Sequence, residues 1–107
     1  MFTITDHKGF QLEMKNGWTV SVQWGVGNYC SRRWEDNFDA PRKDDYWQSN
    51  TAEIAAWKTD SPRREWYSFG EEEDVKGYCN VQEVTDFICL IASLPSVSDE
   101  PVVAHTV

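Results

Sequence analysis

Only one stretch of this chain has the pattern of an amphipathic helix, and that limits the folds open to the rest. Val81, Val84, Phe87, Ile88, Ile91 and Leu94 recur at spacings of three and four and fall on one stripe. Asn80 stands where an N-cap belongs, and Glu83, three residues on, completes a capping box. Pro95 ends the pattern. Cys89 and Leu90 lie off the stripe, and Leu90 gives the helix an apolar residue for a second contact.

The remaining pattern is strand-like. Phe2 to Thr5 alternates apolar and polar, and Asp6-His7-Lys8-Gly9 reads as a turn. Phe10, Leu12 and Met14 alternate with polar residues, and Asn16-Gly17 suits a tight hairpin in which both residues tolerate positive φ. Trp18, Val20, Val22 and Trp24 then alternate with Thr19, Ser21 and Gln23, giving one apolar and one polar face. Ser31 to Asn50 is a long polar stretch containing Trp34, Phe38, Tyr46 and Trp47; stretches of this kind are uncommon in compact domains and tend to be functional or mobile. Thr51 to Trp57 suits a strand, although its alanines would also suit a helix. Trp66 to Phe69 resumes β-type residues, and Val75 to Cys79 reads as a short last strand.

A hydrophobic sheet face must be buried, and one helix is available to bury it. The expected fold is therefore α+β: an antiparallel sheet of five or six short strands packed by one C-terminal helix. The apolar faces predict that Trp18, Val20, Val22 and Trp24 meet Val84, Phe87, Ile88 and Ile91. Residues 1–95 form the single domain of this reading, and residues 96–107 a flexible C-terminal tail. At 107 residues there is room for one domain, and no apolar run is long enough for a membrane helix. Met1 to Asp6 does not read as a secretory signal.

The charge is strongly uneven. Residues 1–70 carry nine basic and ten acidic side chains, whereas residues 71–107 carry Lys76 against eight acidic ones. A net charge of -8 argues against binding to DNA or RNA, where Lys and Arg supply most of the affinity. It permits the presentation of carboxylates to a basic protein surface. Glu71, Glu72, Glu73 and Asp74 are four in succession, read either as a solvated turn or as a negative docking ridge. Six Trp, four Tyr and five Phe give large contact area, and those in polar loops, such as Trp34 and Trp47, read as interface anchors.

Little points to catalysis. Cys30, Cys79 and Cys89 form no Cys-x-x-Cys pair, and an odd count reads as reduced, structural thiols. His7 and His105 lie near opposite ends of the chain, so no base is placed beside a Cys30 nucleophile and no metal or cofactor set is evident. The expectation is a non-enzyme. Arg32, Arg33, Arg63 and Arg64 form two guanidinium pairs that either meet nearby carboxylates or converge on an anion. In the second case Asn28 and Tyr29, after the Gly25-Val26-Gly27 turn, and Trp66 would complete a ligand site.

The segment from Gly17 to Cys30, with Val20-Ser21-Val22-Gln23-Trp24-Gly25 running into Gly27-Asn28-Tyr29-Cys30, resembles one found in small uncharacterised proteins of tailed bacteriophages. Ala52 to Ala55 and Val75 to Tyr78 are similar to later parts of such proteins. The resemblance implies a phage source and the host cytoplasm as the setting, and supplies no catalytic residues. The leading functional expectation is a non-enzymatic accessory protein that binds and blocks a host protein, a bacterial defence component among the candidates. The alternative is a binding protein that sequesters an anionic, nucleotide-like signal. Neither involves direct nucleic-acid or membrane binding.

Overall fold

The structure, a computed structural model, describes residues 1–5, 8–25, 30 and 48–97. Five strands form one antiparallel sheet in the order β1-β2-β3-β4-β5: β1 (Phe2–Ile4), β2 (Gly9–Glu13), β3 (Trp18–Gln23), β4 (Ala52–Lys58) and β5 (Lys76–Cys79). The helix α1 (Val81–Ala92) follows and covers one face. The architecture is the expected α+β sheet packed by one C-terminal helix.

Register explains the core. Phe10 pairs with Val22 and Leu12 with Val20, and these two β3 residues pair onward with Ile54 and Ala56. Side chains on one face of adjacent strands therefore form apolar rows, because the side-chain period along each strand is two. Trp18, Val20, Val22, Ile54, Ala56, Phe87 and Ile91 are buried together, with Trp24, Val84, Ile88 and Leu94 packed against them. The strand stripe and helix stripe thus meet as expected. Val81 departs from the pattern: it is the first helical residue and stands exposed. Leu90 is exposed as well.

Local chemistry fixes the helix ends. Glu83 N–H donates to Asn80 Oδ1 at 2.8 Å and Asn80 N–H donates to Glu83 Oε1 at 3.1 Å, a complete capping box. At the other end the Asn16 side chain donates to the carbonyls of Ile91 (2.8 Å) and Leu94 (3.1 Å). Helix carbonyls that lack intrahelical donors are thereby satisfied by the β2–β3 hairpin. That hairpin turns over three residues. Met14 and Trp18 close it, Gly17 N–H donates to Met14 O, and Gly17 alone takes positive φ (+91°). The expected tight hairpin forms, with Gly17 using its tolerance of positive φ and Asn16 positioned to reach the helix.

Three further features differ from the sequence reading. Trp66 to Phe69 makes a single bridge to β4, Trp57 to Trp66, formed by the bonds from Tyr67 N–H to Ala56 O and from Lys58 N–H to Glu65 O. Its side chains then diverge: Trp66 meets Trp57 edge-on, while Tyr67 and Phe69 turn to Phe87, with ring centroids 5.1–5.5 Å apart. Next, the polar face of β3 is also buried, at Thr19 and Ser21, and β4 buries Ala55 and Trp57 on that side. The hydroxyls are satisfied there: Thr19 bonds to Thr59 at 2.7 Å, and Ser21 accepts from Gln23 at 3.1 Å. Finally, the expected tail begins with attached chain. Val97 N–H donates to Asn16 O at 2.8 Å and its side chain lies against Gly17. Residues 98–107 lie outside the described part.

Candidate protein-binding surface

The acidic residues sit on a tight turn after Phe69. Phe69 N–H donates to Glu73 O, Glu73 N–H to Gly70 O, and the Ser68 hydroxyl to Gly70 O, so the chain reverses over Gly70 to Glu73. Glu72 is held at φ +59°, a left-handed conformation that is uncommon for a residue with a Cβ. All four carboxyl-bearing residues from Glu71 to Asp74 are exposed. Among the described residues none of them forms an ion pair, and Lys76, the one basic side chain of residues 71–97, lies 3.7 Å from Glu83.

The turn is joined to an exposed aromatic residue by an irregularity in β5. Ala52 pairs with Cys79 but Ile54 pairs with Lys76, so three steps along β5 answer two along β4. The extra residue makes a bulge, and Tyr78 sits there at φ +55°. A bulge re-aims a side chain relative to the regular pleat. Tyr78 stays 53% exposed, and it lines one shallow depression with Glu72, Glu73, Asp74, Val75 and Lys76. Exposed carboxylates, an exposed aliphatic side chain and an aromatic residue on constrained backbone therefore share one edge of the sheet.

The sequence singled out the carboxylates but missed Tyr78 and Val75. Gly77 beside Tyr78 was the available signal, because glycine within a strand often marks a bulge. The other expected anchors, Trp34 and Trp47, lie outside the described residues, as do Asn28, Tyr29, Arg32 and Arg33. Of the arginine set, Arg63 and Arg64 are both exposed, and the Arg64 guanidinium lies 4.8 Å over the Trp57 ring and 5.7 Å from that of Trp66. Lys58 pairs with Glu65 at 3.0 Å and lies 6.0 Å from the Trp18 ring, on the other face of β4. Arg64 and Trp66 thus cover the second face of the sheet at Trp57, a structural use of both residues.

The thiols divide by burial. Cys30 is buried, accepting from Gly25 N–H at 3.1 Å. Cys79 is buried too, and that burial, reinforced by the nearby Glu83 carboxylate and opposed by Lys76, pushes its thiol above the ordinary value. Cys89 is exposed, and all three are free. A thiolate is the nucleophile, so a buried thiol held protonated is inert. Iodoacetamide should therefore modify Cys89 alone in the folded protein and all three cysteines after denaturation, read by intact mass. Rapid native labelling of Cys79 would contradict this. An apolar groove between α1 and the sheet includes Cys79, Val84 and Ile88, and among the described residues its lining holds no imidazole or carboxylate to serve as a base.

No protein-family model matches the chain, and no curated protein or solved structure is significantly similar to it. No described helix is long and apolar enough to cross a membrane.

Proposed function

We propose that the protein acts by stoichiometric binding and that its turn from Glu71 to Asp74 docks on a basic surface of a partner protein, with Tyr78 as the anchor. The observation that carries this is Tyr78, held exposed at a strained bulge beside four carboxylates that have no cation partner among the described residues. Backbone held in a sparsely populated conformation costs about 1–3 kcal/mol and tends to occur where function requires it. An aromatic side chain kept on rigid backbone loses little entropy on binding, which suits an interface anchor. The resemblance to phage proteins favours a host protein, blocked by occupancy, as the partner, a defence component being among the candidates. Capture of an anionic, nucleotide-like ligand is the second reading, with Arg63 and Arg64 both exposed and Arg64 stacked on Trp57 and Trp66.

Charges at the margin of an interface act on association, and buried anchors act on dissociation. Replacing Glu71, Glu72 and Glu73 by Gln and Asp74 by Asn should slow association about tenfold at low salt, an effect that fades as salt screens the field. Tyr78→Ala should instead speed dissociation, by roughly 30-fold for an anchor worth about 2 kcal/mol. Surface plasmon resonance against the partner recovered from infected-host lysate would measure both rates. Unchanged association of the neutralised variant would remove the acidic turn from the interface.

A further inference from the structure

The opposite edge of the sheet has a different character, and we propose that it is a homodimer interface in which β1 pairs antiparallel with β1 of a second copy. Along the row that runs from Ile54 through Val22 and Phe10 to Ile4, burial decreases outward. Val22 and Ile54 are buried and Phe10 is half-buried, yet Ile4 is 77% exposed and Phe2, in the adjacent row, 84%. The apolar side of the sheet thus continues past the helix and ends in water, with Met1 exposed beside it.

The backbone is equally open. Glu13 N–H donates to Met1 O and Thr5 N–H donates to Gly9 O, so the odd-numbered residues of β1 direct their peptide groups toward β2. Alternation then points the N–H and C=O of Phe2 and Ile4 away from the sheet, and among the described residues these groups have no partner. A two-fold axis at Thr3 sets Phe2 of each copy opposite Ile4 of the other. All four groups on each strand are then satisfied, giving four inter-chain bonds, while both copies' Phe2 and Ile4 gather on one face. The edge is self-complementary, as an isologous interface must be.

Charge selects a second copy as the occupant. Met1 to Thr5 carries no charged side chain in a protein of net charge -8, so this edge is a place where two like-charged copies can approach. Protected edges carry charges, bulges or irregular backbone. The β5 edge has Lys76, the bulge at Tyr78 and the acidic turn, and β1 has none of these. Even complete covering of Met1, Phe2 and Ile4 on both copies would remove only roughly 1,000 Å² of surface, and edge-to-edge pairing leaves the sheet faces open, so the interface is a weak one.

The test uses the full chain in sedimentation equilibrium across low to high micromolar concentrations, together with crosslinking in a Cys89→Ser background. A monomer–dimer equilibrium that strengthens with salt is expected. It should be abolished by Ile4→Lys, whose side chain is exposed, so that the thermal melt of this variant is unchanged. Thr3→Cys, facing its own copy in a pair without hydrogen bonds, should oxidise to a covalent dimer, and Phe2→Cys should not. A monomer at every concentration would overturn the proposal and leave the edge to a strand of another protein. So would a dimer that survives Ile4→Lys, or assembly that proceeds beyond two copies. Because acidic docking weakens with salt and uses the β5 edge, either idea can fail without the other.

Discussion

Phe87→Ala should lower the stability of the domain by about 3–5 kcal/mol, the largest loss expected from any single truncation here. Phe87 is buried on the one helix that covers the sheet, and its ring also contacts Tyr67 and Phe69. Truncation removes transfer energy, leaves a cavity the sheet cannot collapse into, and breaks both aromatic contacts. A domain of this size has only about 5–15 kcal/mol to lose, so the variant should melt far below the parent or fail to fold at 37 °C. Differential scanning calorimetry would measure it. A melting temperature close to the parent's would mean that the helix does not seal this core.

Gly9→Ala should cost about 3 kcal/mol, although it adds only a methyl group at a half-buried site. Gly9 sits at φ +147° opposite Gln23, and a Cβ there would lie 2.0 Å from Val22 O and 2.8 Å from Gln23 Cα. Both obstacles are backbone of the neighbouring strand and cannot rotate aside. The end of the β2–β3 ladder must therefore open, with loss of the bond from Trp24 N–H to Lys8 O. Urea denaturation would report the change. Gly25→Ala provides the contrast: it is strained at φ +102°, but its Cβ would meet nothing nearer than the Lys8 side chain at 3.8 Å, so the loss should be smaller.

These positions show which parts of the fold the sequence carried. The helix was legible because its stripe, its Asn80–Glu83 box and Pro95 all lie within a few turns of one another. The β3 strand was legible for the same local reason. Gly9 read as a turn residue, whereas its conformation is set by the approach of Val22, a contact made only once the strands pair. The link from Asn16 to Ile91 spans 75 residues and leaves no mark on local pattern. Burial of Thr19 and Ser21 contradicts their polarity and follows from the central place of β3.

The site was legible only in its charges. Four adjacent carboxylates can be read from any sequence, but Tyr78 emerges from the register of β5 against β4, and Phe2 and Ile4 alternate as a buried strand would. Arg64 illustrates the converse: its guanidinium stacks on Trp57, a contact that no local pattern announces. Its pairing with Arg63 in sequence carried no information about where the two guanidinium groups point.

The most direct test of the binding account is photo-crosslinking from position 78 in infected-host lysate, with p-benzoylphenylalanine in place of Tyr78 and the same probe at Glu13 as a control. The account predicts an adduct with one basic host protein at position 78 and none at position 13, lost when Glu71 to Asp74 are neutralised and weakened by salt. Absence of a protein adduct at position 78, together with a small anion retained in native mass spectrometry and released by Arg63→Ala or Arg64→Ala, would contradict it.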